Sequence, residues 1–158
     1  MAQIDLIEET FVAASPALVS AAVRDPAFSR DLWPDVSLAV FMDRGDAGLR
    51  WTATGGLIGS AEIWLEPFGD GVIAHTYLRA DPPSPLHWRK AVAETQRRAR
   101  HLKAVWWRLK DTVEAGREPG TPARSAATPA RSAATPARDA ATPARDAATP
   151  AREPGSAR

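Results

Sequence analysis

The chain has 158 residues, enough for one domain, and its net charge of +1 provides no domain-wide basic field to neutralise nucleic-acid phosphates. The sequence has no cysteine, which excludes disulfides, thiolate nucleophiles and Cys-ligated metals, and its three histidines show no metal-ligand spacing. No apolar run approaches the roughly 20 residues of a membrane span, and the acidic start of the chain lacks signal-peptide features, so we expect a cytoplasmic protein without a cofactor or metal.

A strand and two short helices open the predicted domain. Alternating apolar residues predict the strand over residues 4–13. Ser15-Pro16 then predicts a helix start, because serine caps the first turn and proline lacks only an N–H that has no partner there. Asp25-Pro26 repeats the same signal and predicts a second short helix.

An antiparallel meander of four further strands is expected next. Its predicted strands cover residues 36–42, 50–54, 60–66 and 72–80. Asp70-Gly71 is the expected hairpin turn between the last two strands. That turn would place Glu66 opposite His75 and Trp64 opposite Tyr77.

Side chains alternate between the two faces of a strand, so the last two strands offer a choice of inward face. One face is small and aliphatic, and we expect it to point inward: Ala61, Ile63, Leu65, Ala74, Thr76 and Leu78. The other face carries Glu62, Trp64, Glu66, His75 and Tyr77. If this second face pointed inward instead, a carboxylate and an imidazole could exchange protons in a pocket.

A long amphipathic helix follows the meander and ends near Gly116. Its apolar stripe recurs at steps of four and three residues: Trp88, Val92, Thr95, Ala99, Leu102, Trp106, Leu109 and Val113. Trp107 lies off this stripe and is either a flank of the buried face or an exposed aromatic.

The sequence changes character after Gly116. A heptapeptide Thr-Pro-Ala-Arg-Ser/Asp-Ala-Ala begins at Thr121 and recurs three times, with a truncated copy at the end. A proline in every repeat prevents a continuous helix, and no side chain larger than alanine is available to bury. We therefore predict an ordered domain over residues 1–116 and a disordered tail over residues 117–158. The alternative for the tail is an anion-binding arm.

Several motifs resemble a known superfamily. They are Trp51-Thr-Ala-Thr-Gly, Glu62-Ile-Trp-Leu-Glu-Pro, His75-Thr-Tyr-Leu-Arg-Ala-Asp-Pro and Trp107-Arg-Leu-Lys-Asp. Together they resemble the short actinobacterial members of the SRPBCC or START-like superfamily, usually described as "polyketide cyclase/dehydrase and lipid transport". The resemblance implies an α+β helix-grip fold. In this fold a curved antiparallel sheet wraps around a long C-terminal helix, and an apolar cavity lies between the sheet and the helix. Only five strands are predicted where a complete helix-grip domain has seven, so the cavity could be small, open or filled.

Three functions remain open from the sequence. The leading hypothesis is non-catalytic binding of a hydrophobic small molecule, such as a lipid, polyketide or aromatic metabolite, between sheet and helix. Its expected ligand-binding residues are Thr52, Ile63, Leu65, Ala74, Thr76, Leu78, Leu102 and Trp106. The first alternative is a cyclase or dehydrase that moves protons through His75 with Glu62 or Glu66. The second is an interaction module with a filled core that dimerises through Trp51, Trp64 and Tyr77.

Overall fold

The computed structural model describes residues 2–118 and 121–122. Its elements are β1 Ile4–Val12, α1 Pro16–Arg24, α2 Pro26–Leu32, β2 Val36–Asp43, β3 Gly48–Gly55, β4 Ile58–Phe68, β5 Gly71–Asp81 and α3 Trp88–Val113, with a short 3-10 turn at Gly45–Ala47. Every expected strand and helix is present. The predicted disordered tail lies outside the described residues, apart from Arg117, Glu118, Thr121 and Pro122.

The five strands form one antiparallel sheet in the order β1-β5-β4-β3-β2. The first strand therefore returns beside the last one, with Ile4 opposite Ala80 and Val12 opposite Val72. Helix α3 packs against β1, and α1 and α2 pack against the same side of the molecule. This is the helix-grip arrangement that the sequence predicted.

The proline-led helices begin where the local signals placed them. Ser15 Oγ accepts a hydrogen bond from the Leu18 amide at 3.4 Å, and Asp25 Oδ1 accepts one from the Ala27 amide at 2.8 Å. Asp25 is both the C-cap of α1 and the N-cap of α2. One residue therefore sets the corner between the two helices.

The β4–β5 hairpin differs from its predicted register by two residues. The turn is Gly69-Asp70 rather than Asp70-Gly71, with Gly69 at φ 56°, a left-handed conformation that favours glycine. Trp64 consequently lies opposite His75, and Glu62 lies opposite Tyr77. A shift of two residues leaves every side chain on its predicted face.

The inner face of the sheet and the C-terminal half of α3 enclose the core. Trp33 and Trp106 are its largest fully buried side chains. Phe28 meets Trp106 edge-on with ring centroids 5.2 Å apart, and Trp51 meets Trp33 at 6.1 Å. Aromatic rings therefore occupy much of the space between the sheet and its three helices.

The first two turns of α3 depart from the predicted stripe. Trp88 and Val92 are exposed, while Arg98 and Val105 are buried positions that the stripe did not include. No described strand or helix covers Trp88, whereas Arg98 reaches Asp35, the residue directly before β2. None of the described helices is long and apolar enough to cross a membrane.

Candidate functional site

Seven of the eight expected ligand-binding residues come together on the inner side of the sheet. They are Ile63, Leu65, Ala74, Thr76, Leu78, Leu102 and Trp106, and all of them are buried. Trp106 Nε1 donates a hydrogen bond to Thr76 Oγ1 at 3.0 Å, which ties α3 to β5 inside this cluster. Thr52, the eighth, is exposed on the outer face and cannot line a space between sheet and helix.

The outer face of the sheet carries a histidine held by two carboxylates. His75 is only 8% exposed; its Nδ1 lies 3.1 Å from Glu9 Oε1, and its Nε2 lies 2.9 Å from Glu66 Oε2. Each ring nitrogen of His75 therefore faces one carboxylate oxygen within hydrogen-bond distance. The cluster joins three adjacent strands, because Glu9 is on β1, His75 on β5 and Glu66 on β4.

Two aromatic rings shield this histidine. Trp64 stacks on the His75 ring with centroids 4.5 Å apart, and Tyr77 lies nearly parallel to it at 6.5 Å. The sequence predicted the pairing of His75 with Glu66, but the pair faces away from the space between sheet and helix.

Two residues expected near this cluster lie elsewhere. Glu62 is bound by Arg44 Nη1 and Arg50 Nε, each at 2.8 Å, rather than by His75. Trp51 is buried against Trp33 on the inner face, so the predicted exposed row of Trp51, Trp64 and Tyr77 does not exist. Trp64 and Tyr77 alone remain on the outer face.

A pocket of about 190 Å³ lies beside Tyr77 on the outer face. It is lined by Asp5, Phe41, Arg50, Ser60, Ala61, Glu62, Tyr77 and Arg79. Arg79 lies 3.4 Å from Asp5, and Arg50 lies over the Phe41 ring at 5.8 Å. Ligand pockets usually occupy 300–1,000 Å³, so this one is suited to a single side chain with a polar end.

Large apolar side chains project from the outer face into solvent. Ile7 is 60% exposed, Phe41 54% and Phe68 59%, and Phe11 and Met42 are also exposed. We call these five residues, together with Trp64 and Tyr77, the outer apolar surface. Among the elements that the structure describes, all three helices lie on the other side of the sheet. Of the described helical residues, only Lys110 of α3 reaches the edge of this surface, where its Nζ lies 5.8 Å from the centre of the Phe11 ring.

A second apolar feature lies at the start of α3. A groove of about 400 Å³ is lined by Gln3, Trp88, Ala91, Val92, Thr95 and Gln96. The Gln3 side chain fixes one wall, since its amide exchanges hydrogen bonds of 3.0 and 2.9 Å with the backbone of Leu86. The groove is therefore supported by residues that hold the start of β1 against the start of α3.

A buried ion cluster fixes the middle of α3. Both Arg98 terminal nitrogens bind Asp35, one of them at 3.0 Å, and Arg98 Nε lies 2.7 Å from Glu94. The Arg98 hydrogen bond holds the pKa of Asp35 below its usual value, and the hydrogen bond from Arg97 similarly lowers the pKa of Glu94. The four-residue spacing of Glu94 and Arg98 was the available sequence signal for this pair.

The described residues contain no group of three His, Asp or Glu side chains arranged to hold a metal ion. At the His75 cluster, the two carboxylates bind opposite ring nitrogens and therefore share no common coordination point. The cluster links β1, β5 and β4 through side-chain hydrogen bonds.

Comparison with known proteins gives the fold alone. No family model matches the chain, and no curated protein matches it. It is similar to the solution structure of the Aha1 dimer from Colwellia psychrerythraea, with 14% identity and a TM-score of 0.51 over 73% of this chain and 99% of that chain. It is also similar to DR_A0006 from Deinococcus radiodurans, with 14% identity and a TM-score of 0.52 over 70% of this chain and 96% of that one.

Proposed function

We propose that this domain is an interaction module with a filled core, and that two copies associate through the outer apolar surface. The observation that carries the proposal is the contrast between the two faces of the sheet. The inner face is packed around Trp106, while the outer face leaves Ile7, Phe41 and Phe68 more than half exposed. Contiguous exposed apolar side chains on a folded domain mark interaction sites.

The size of the outer face suits a specific interface. Five strands about 4.8 Å apart and some nine residues long span about 24 by 30 Å, or roughly 700 Å². A standard interface buries about 800 Å² on each partner. One sheet face pressed against another therefore falls near the size that a stable pair requires.

The charges on the outer face also favour a second copy as the partner. A twofold interface brings a surface against itself, so each charge needs its opposite on the same surface. Asp5 lies beside Arg79 at the edge of the 190 Å³ pocket, and both remain substantially exposed. The similar Aha1 protein was solved as a dimer, which agrees with the proposal although that chain is only 14% identical.

Replacing Ile7 with glutamate should convert a dimer into a monomer. The new carboxylate would lie in the outer apolar surface, where pairing would remove it from water without a partner. Because Ile7 is 60% exposed, stability of the monomer should change by less than about 0.5 kcal/mol. Sedimentation equilibrium and a thermal midpoint measure the two effects.

Val92→Glu is the matched control, since Val92 is 49% exposed and lines the groove at the start of α3, none of whose walls belongs to the outer apolar surface. It should leave the dimer intact. A wild-type chain that stays monomeric at about 100 µM would contradict the proposal, because weak specific interfaces have dissociation constants in the µM range.

Binding of an apolar small molecule is a second candidate, favoured by the groove at the start of α3. Its volume of about 400 Å³ lies within the usual range for ligand pockets, and Trp88 and Val92 form exposed apolar walls. This site differs from the one predicted between sheet and helix, because Trp106 fills that space.

Trp88→Ala should abolish uptake of an apolar fluorophore such as Nile red while leaving the fold unchanged. The side chain is exposed, so its removal takes away one wall of the groove without opening the core. A fluorescence titration measures the affinity, with Trp107→Ala as the control for loss of an exposed indole. Equal probe binding by wild type and Trp88→Ala would exclude this groove as the ligand site.

A further inference from the structure

The chain that leaves α3 turns back onto the domain. Gly116 has φ 77°, and the Arg117 amide donates to Glu114 O at 3.0 Å. Arg117 Nη2 then binds Asp70 Oδ2 at 2.5 Å, in the turn between β4 and β5. The exit of the tail is therefore fixed by an ion pair at a defined place on the sheet.

The next described residues continue this contact. The Thr121 amide and hydroxyl both donate to Glu118 O, at 3.1 and 2.6 Å, which closes a turn. Pro122 then forms one wall of a groove of about 330 Å³ whose other walls are Ser15, Pro16, Pro67 and the turn at residues 69–71. The arginine thus pairs with a carboxylate, and the Thr-Pro pair four residues later ends at an apolar groove.

The same spacing recurs along the tail. Arg117 precedes Thr121-Pro122 by four residues, and an identical Arg-x-x-x-Thr-Pro unit begins at each of four later arginines: Arg124, Arg131, Arg138 and Arg145. Arg152 has no such unit, because Ser156 and Ala157 stand where the others have Thr-Pro. Four further units therefore have the same residue types, at the same spacing, as the unit that makes this contact.

We propose that Asp70 and the groove beside it form a binding site for Arg-x-x-x-Thr-Pro units, and that its occupant is the chain's own tail. The unit at residues 117–122 is the resident occupant, and the unit at residues 124–129 takes its place when the first is lost. Charge supports this occupant, since residues 1–84 carry a net charge of −7, whereas residues 117–158 carry a net charge of +3. The inference is independent of association through the outer apolar surface.

The tether favours exchange between units of one chain. A short flexible link gives a tethered segment an effective concentration in the mM range. Moving from one unit to the next lengthens the link from Gly116 by seven residues. The link grows from one residue to eight, which is three doublings, and each doubling lowers the closure probability by about threefold, so the second unit should bind roughly twentyfold less well than the first.

Backbone amide shifts of Ser15 and Phe68 in the ¹⁵N-labelled full chain report occupancy of the groove without altering its walls. The empty reference is a variant in which Arg117, Arg124, Arg131, Arg138 and Arg145 are all glutamine. Asp70→Asn should move both amides in the same direction as this variant. Arg117→Gln alone should shift both amide resonances less far than this variant does, because the next unit replaces the first in part of the molecules.

Arg152→Gln is the matched control, since it removes the same charge from the tail but touches no unit; both amides should stay at their wild-type positions. The proposal is overturned if Arg117→Gln alone shifts the two amide resonances as far as the variant with five replaced arginines does, because the repeats would then not be ligands. It is equally overturned if Asp70→Asn and the fivefold variant both match the wild type.

Discussion

Replacing Trp106 with alanine should lower the free energy of unfolding by about 3–5 kcal/mol. The indole is fully buried, meets Phe28 edge-on and donates to Thr76. Alanine would remove these contacts and leave the Thr76 hydroxyl facing an apolar cavity. Chemical denaturation measures the loss, provided that the slope with denaturant stays unchanged.

The neighbouring residue gives a matched control. Trp107 is 61% exposed, so Trp107→Ala removes the same side chain from the solvent side of the same helix turn and should cost under about 0.5 kcal/mol. The cavity left by Trp106→Ala should also accept indole and recover part of the stability, since dry apolar cavities bind small aromatic molecules. Equal losses at the two positions would mean that Trp106 does not fill the core.

Asp35→Asn should cost about 1–3 kcal/mol at neutral pH, the usual effect of leaving a buried donor without its partner. Arg98 is the buried group, and Asp35 binds both of its terminal nitrogens. Asp31→Asn is the control, because Asp31 pairs with Arg108 where both side chains are more than half exposed, and such pairs contribute little.

The loss in free energy of unfolding caused by Asp35→Asn should disappear at acid pH. Arg98 lowers the pKa of Asp35 in the folded state, so the ionised carboxylate stabilises the fold above the unfolded value, near 3.8. That stabilisation falls as the pH drops below 3.8 and is lost as it passes through the folded pKa. The stabilities of wild type and Asp35→Asn should therefore converge as the pH falls below 3.8 and through the folded pKa of Asp35. A constant difference from neutral to acid pH would show that the carboxylate charge does not matter.

The elements of the fold were predictable because their signals are local. Ser15-Pro16 and Asp25-Pro26 fix two helix starts by capping chemistry, and alternation of side chains assigned Ile63 and Thr76 to the core. The hairpin register depended on which two residues make the turn, and Gly69 rather than Gly71 occupies the left-handed position. The side chains predicted to face inward still do so, because the register shifted by an even number of residues.

The outer site was only partly predictable, because its missing members come from distant parts of the chain. His75 and Glu66 lie nine residues apart in one hairpin, whereas Glu9 reaches His75 only because β1 pairs with β5. Trp51 was misassigned because its face depends on the number of residues in the β3–β4 turn. Arg98 was missed because a guanidinium at a buried position looks like a surface residue until Asp35 is placed beside it.

The two edges of the sheet have unequal consequences for aggregation. On β1, Lys110 Nζ donates to Phe11 O and Glu114 accepts from the Ala13 amide at 2.7 Å, so α3 engages the end of that edge. On β2, no lysine, arginine or proline guards Val36–Met42, and a bulge between Val40 and Met42 is its one irregularity. The edge at β2 therefore offers another chain a largely uncharged strand to which it could add, whereas α3 engages the end of the edge at β1.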